Sequence, residues 1–136
     1  MLQILYVFLA LFALAAQALP AAEPAADRTL LPRGTNGKAT YYYQMGAFGS
    51  CGAINGDNAN IVALSYLQYQ GANPCGRKVK VYARSGPGAG RSVILTVADK
   101  CMGCDYNHLD LAYGPFGYLS NGNYGLGVLD IAWAWA

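Results

Sequence analysis

The chain has 136 residues, of which only 12% are charged while 17 are Gly and 11 are Tyr. That balance excludes a helical bundle and suits one small, turn-rich β domain with an aromatic surface. Its formal charge of +2 is too mild for nucleic-acid binding, which rests on clustered Lys and Arg neutralising phosphates, so a neutral or weakly acidic partner fits better.

Leu2 to Ala16 is almost uninterrupted Leu, Ala, Phe, Val and Ile, and Ala16-Gln17-Ala18 follows as a small-x-small cleavage pattern. Residues 1–18 therefore read as a secretory signal peptide. A membrane anchor is the rival, and the start lacks the usual Lys or Arg, but Gln17 and Pro20 cut the apolar run short of a span. The mature protein is expected to be secreted, to the extracellular space or cell wall, with no membrane contact. Residues 19–36 are rich in Ala and Pro without any period and read as a disordered linker or pro-segment. The domain is expected over 37–136.

Gly37 to Tyr43 has the Thr and aromatic content of a strand, and alternation puts Tyr41 and Tyr43 on one face with Thr40 and Tyr42 on the other. Gly46 to Asn60 is a long Gly/Asn loop, of a length that is usually functional or stapled. Ile61 to Ser65 is a short buried strand, followed by an irregular stretch to the turn at Asn73-Pro74. Arg77 to Ala83 alternates, Val79 and Val81 inward and Lys78, Lys80 and Tyr82 outward. It forms a hairpin with Ser92 to Ala98 around an exposed loop, Arg84 to Arg91. The cations Arg77, Lys78, Lys80, Arg84 and Arg91 read as the solvated face of that strand pair. Ala112 to Leu119 is a poor helix because of Gly114 and Pro115, and Gly125 to Trp135 is the closing strand.

The chain is organised around Ser92 to Leu111. Its most apolar strand runs into Asp99, crosses Cys101-Met102-Gly103-Cys104, and re-emerges as His108-Leu109-Asp110-Leu111. Two carboxylates at the edge of a packed core are either structurally paired or a site. An Asp110 confined by apolar neighbours, with Leu109 and Leu111 as the candidate wall, would have a raised pKa and suit proton donation. Its plainer role is to cap the turn that follows. Asp99 at a strand end has an equally plain role, accepting bonds within the Cys101 to Cys104 turn.

Ala39-Thr40-Tyr41-Tyr42, Ser50-Cys51-Gly52, Ile61 to Ser65, Asn73-Pro74-Cys75-Gly76, and Val97 to Cys101 through Leu109-Asp110-Leu111 occur in an order that resembles the RlpA-like and barwin-like families. The resemblance extends to single-domain fungal expansin-like proteins, the loosenins, and covers nearly everything from Lys38 to Ala136. It implies an all-β fold, a six-stranded double-psi β-barrel with short helical turns. It implies that His108-Leu109-Asp110 matches the expansin His-Phe-Asp, whose acid opens into a groove, and that Asp99 lies near it. In related family 45 endoglucanases and lytic transglycosylases the equivalent acid protonates a glycosidic oxygen.

By the same resemblance Thr40, Tyr41 and Tyr42 match a Thr-Trp-Tyr stretch that contacts sugar. Tyr42 is assigned to binding, while Tyr41 and Tyr43 also suit packing. His108, the only histidine, would line the groove. The expansin acid before the first Cys-Gly is missing here, since Tyr43 to Ser50 holds no Asp or Glu, which weakens hydrolysis more than binding.

Cys101 to Cys104 admits a redox motif, half a zinc site or a disulfide. Crossover helices for the first are lacking, and zinc would need the other cysteines. A Cys101-Cys104 bond is expected, with Cys51-Cys75 as the barwin-type pairing. The implied protein is a monomer without metal or cofactor that binds wall polysaccharide (cellulose, chitin, xylan or peptidoglycan) and loosens it without hydrolysis. A glycan-cleaving enzyme using Asp110, of lytic transglycosylase type, is one alternative. A protein-binding effector or protease inhibitor of barwin-like type is the other.

Overall fold

A computed structural model describes residues 34–136. The expected signal peptide and most of the expected linker lie outside them. Six strands close into a barrel: β1 (Thr35–Tyr42), β2 (Ile61–Ser65), β3 (Lys78–Ala83), β4 (Ser92–Cys101), β5 (Leu109–Ala112) and β6 (Leu129–Trp135), with a helix α1 (Tyr113–Leu119) after β5. Around the barrel the order is β1-β5-β2-β4-β3-β6, and β1 closes on β6. The β1/β5 and β2/β4 pairs are parallel and the other four antiparallel. This is the double-psi β-barrel.

Alternation builds the interior. Ala39, Val62, Leu64, Val79, Val81, Leu95, Val97, Leu109, Leu111, Leu129 and Ile131 are buried in one cluster with Phe116 and Leu119 of α1. Each fully buried Leu, Ile or Phe contributes about 1.5–3 kcal/mol relative to exposure. Lys78, Lys80 and Tyr82 face outward from β3 as expected.

One irregularity positions the site. Val62 pairs with Val97, but Ala63 pairs with Asp99, so Ala98 is an extra residue in β4. Strict alternation from Leu95 and Val97 would send Asp99 into the barrel. The bulge turns it outward, into the row of Ala63, which is the kind of re-aiming bulges produce beside functional sites.

Element bounds differ from the sequence expectation in places with visible causes. β1 starts at Thr35, where Thr35 and Asn36 already pair with Trp133 and Ala132. β4 runs on to Cys101 because β2 continues to pair with it. β6 begins only at Leu129, since Tyr124–Leu126 is a 3-10 turn that ends on Gly127 at φ 65°, a conformation that favours glycine. In α1, Pro115 sits in the first turn, where a missing N–H costs nothing.

Candidate functional site

The register places four residues in one row across neighbouring strands: Asp99 on β4 opposite Ala63 on β2, Ala63 opposite Asp110 on β5, and Asp110 opposite Thr40 on β1. Two strand spacings separate the α-carbons of Asp99 and Asp110, roughly 9–10 Å. Ala63 lies between them in the row and is itself buried.

Asp110 is half-buried. Its carboxylate accepts a hydrogen bond from the Thr40 hydroxyl at 2.8 Å. That hydroxyl has one proton, so the 2.8 Å contact between Thr40 Oγ1 and His108 Nε2 is donated by the ring, which fixes a proton on Nε2. A directional chain results: His108 to Thr40 to Asp110. Burial raises the Asp110 pKa above the ordinary carboxylate value, the Thr40 bond and His108 pull it back, and Asp99 adds to the rise.

The expected apolar wall is not made by Leu109 and Leu111. Both are wholly buried in the barrel interior, on the opposite side of β5 from Asp110. Nor does Asp110 cap α1, whose N-cap is Ala112 with no side-chain bond.

Asp99 holds the long loop instead. Its Oδ1 accepts from Ser50 N at 2.8 Å, Ser50 Oγ at 2.9 Å and Lys100 N at 2.8 Å. Cys51 N donates to Ala98 O at 3.2 Å, and Tyr69 donates to the Asp99 carbonyl at 2.8 Å. The loop comes so close that a β-carbon on Gly49 would stand 2.5 Å from Ala98 O. The Cys51–Cys75 disulfide ties the same loop down, and Cys101–Cys104 closes the short turn, both as expected. Among the described residues no cluster of three or more His, Cys, Asp or Glu is placed to hold a metal.

Tyr42 lies on the outer side with Thr40. Burial raises its phenol to about 12; Gln44 pulls it partly back, and Asp99 and Asp110 both add to the rise, so the hydroxyl sits close enough to feel each acid. The hydroxyl is buried close to Gln44 and Asp99 but, among the described residues, neither it nor Nε2 of Gln44 reaches a partner in good hydrogen-bond geometry. A buried polar group left unpaired costs about 1–3 kcal/mol. Tyr42→Phe is therefore expected to raise stability by about 1 kcal/mol in thermal melts. The folded state holds the phenol proton more tightly than the unfolded chain. Stability of the wild type should consequently fall as pH climbs from the ordinary tyrosine range toward about 12, a fall that Tyr42→Phe should lack.

Tyr41 does not join this group. Its ring packs inward on Phe116, at 4.6 Å between centroids, and edge-on to Tyr113 and Tyr124. Tyr43, Tyr113 and Tyr124 stack beside it, at 5.0 Å for the first pair and 4.0 Å for the second. The structure thus brings together Thr40, Tyr42, His108, Asp99 and Asp110. Sequence reasoning missed Ala63 and Ser50, whose roles come from register and loop closure. It also missed the exposed rim of the loop, where Met45, Phe48 and Ile54 are 88%, 72% and 55% exposed and Phe48 and Ile54 form a β-bridge.

No family model matches the chain. It is 33% identical over 119 residues to the papain inhibitor of Streptomyces mobaraensis, a match covering 83% of this chain and 79% of that protein. Among solved structures, an expansin of Clavibacter michiganensis, crystallised as a mutant with cellohexaose, superposes with a TM-score of 0.62 at 32% identity. That match covers 76% of this chain and 50% of the expansin, so the chain spans half of the expansin's length. The Streptomyces papain inhibitor superposes with a TM-score of 0.58 at 28% identity and is covered over 98% of its length.

Proposed function

The chain belongs to the expansin-like double-psi β-barrel family, that of the papain inhibitor of Streptomyces mobaraensis, and from that premise we propose that it binds a wall polysaccharide across the Asp110 row and loosens it without cutting. The observation that carries this is the Asp110 carboxylate, half-buried on the outer side of the barrel and, among the described residues, hydrogen-bonded by the Thr40 hydroxyl alone. Such a carboxylate has acceptor sites left for sugar hydroxyls. Bonds to an ionised acceptor are worth about 1.5–3 kcal/mol against 0.5–1.5 for neutral ones, enough to compete with the hydroxyl contacts between neighbouring glycan chains.

Hydrolysis would need a second group to activate water or to attack, whereas cleavage of the lytic transglycosylase type needs one acid alone, since the sugar's own hydroxyl attacks, and is decided by the products released. Asp99 is the only other carboxylate in the row, and three donors already converge on one of its oxygens. The His108 to Thr40 chain orients Asp110 rather than supplying a second acid. The protein would act after secretion, on a neutral glycan in the wall.

Retention on insoluble cellulose, chitin, xylan and peptidoglycan, with analysis of released sugars, tests this. Retention on at least one polymer with no new reducing ends or anhydro-sugars is expected. Product release would replace loosening by cleavage, and retention on none would remove the reading.

One observation favours a second reading, that of a protease inhibitor. The papain inhibitor relative is matched over most of both chains, and the stapled loop presents Met45, Phe48 and Ile54 on a fixed frame. A rigid apolar loop is a good anchor for a protein cleft. Tight inhibition of a papain-type protease that survives Asp110→Asn would establish it over the first.

A further inference from the structure

Away from the Asp110 row, a depression of about 250 Å³ opens where β1 begins and β6 ends. Thr35 on its wall lies five positions before Thr40 on β1, roughly 17 Å along an extended strand. Its walls include Thr35, Gln68, Tyr106, Asn107, Trp133 and Trp135. We propose that this depression is a second binding site, separate from the groove, for a single neutral sugar ring.

Size comes first. Sites for whole drug-sized ligands run to about 300–1,000 Å³, so this one holds one ring rather than a chain segment. Charge comes next, because no Asp, Glu, Lys, Arg or His lines it and the Arg77 guanidinium is already stacked on the Trp135 ring. A cationic ligand would enter without a counter-charge and an anionic one without a charged wall residue to bind it, which is costly. Wall chemistry completes the match. A pyranose offers an apolar C–H face and a rim of hydroxyls, and here aromatic rings alternate with amides and a hydroxyl.

The walls are also held in place. Trp133 Nε1 donates to Asn107 O at 3.2 Å and Gln68 Nε2 donates to Tyr106 O at 2.9 Å, so β6 and the turn after β2 both grip the approach to β5. Trp135 meets Trp133 edge-on at 5.6 Å, and the Arg77 guanidinium stacks on its ring at 3.7 Å. Among the described residues the side chains of Thr35 and Asn107 make no hydrogen bond, and Gln68 keeps its carbonyl oxygen free for a ligand. A site already rigid loses little entropy on binding.

The chain has two tryptophans, and both line this depression, so intrinsic tryptophan fluorescence reports on it and not on the groove. The test titrates the folded chain with cellotriose, chitotriose and xylotriose. A saturable change with at least one is expected, unchanged in Asp110→Asn and weakened about tenfold or more in Gln68→Ala and in Tyr106→Ala. Tyr106 is 56% exposed, so that variant should fold, which circular dichroism would verify. No saturable change with any of the three overturns the proposal, whatever the polymers retain. So does a change that persists in both wall variants, or one that vanishes in Asp110→Asn.

Discussion

Asp110→Asn is expected to leave the barrel as stable as before and to remove its retention on polysaccharide. Asn keeps the shape and still accepts the Thr40 hydroxyl bond, so neither packing nor local pairing is lost. What goes is the charge. Burial already disfavours that charge, as the raised pKa records, so its removal should not lower the melting temperature. Each charge-assisted bond to a sugar hydroxyl would become a neutral one, a loss of about 1 kcal/mol or more per bond. Two such bonds weaken binding by about thirtyfold, since 1.4 kcal/mol is tenfold.

The pH dependence separates the two forms. Asp110 binds its proton more tightly folded than unfolded, so the wild type gains stability relative to the variant as pH falls through the raised pKa, and the gap is constant again below the unfolded value. Paired thermal melts at several pH values and a pull-down measure both effects. A drop of many degrees in the variant would mean that the carboxylate is structural, and undiminished retention would place glycan binding elsewhere.

Removing Cys51–Cys75 by the double change Cys51→Ala and Cys75→Ala should be the most destabilising of the changes considered. The bond closes a sequence separation of 24 residues, which in the chain-entropy view stabilises by about 3.5 kcal/mol. For a domain of this size that is a fall in melting temperature of about 15–25 °C. The loop it pins carries Ser50, whose two bonds to Asp99 knit the loop to β4, so groove binding should fall with it. The companion change at Cys101 and Cys104 opens a separation of only 3 and should cost less. Calorimetry on the two double variants checks the order. Equal losses would show that the large loop is held by its hydrogen bonds rather than by the disulfide.

Much of this site could be read from residues whose neighbours are local. A two-residue period in β1 was enough to separate Thr40 and Tyr42 from Tyr41, because strand side chains alternate whatever the tertiary context. The motif order brought Asp110 and His108 together, where both meet the Thr40 hydroxyl, and the cysteine pairing followed from resemblance. The orientation of Asp99 was not legible, since a single extra residue at Ala98 reverses it and no side chain in Val97-Ala98-Asp99 advertises a bulge. The leucine wall failed for the opposite reason. Alternation, applied to β5 as it was to β1, puts Leu109 and Leu111 on the far side from the acid. The stacked Tyr43, Tyr113 and Tyr124 come from three separate segments, and the tryptophan-lined depression gathers residues from both ends of the described chain. Neither leaves a local pattern.

The row of Asp99, Ala63, Asp110 and Thr40 draws one residue from each of four strands, and its members meet across two parallel pairings that no hairpin can make. Such long-range pairings are the slow part of assembling a β protein. The row is therefore expected to assemble late during refolding. Compact intermediates with native hairpins such as β3/β4 would be inert, and regained function would mark complete closure of the barrel rather than mere collapse.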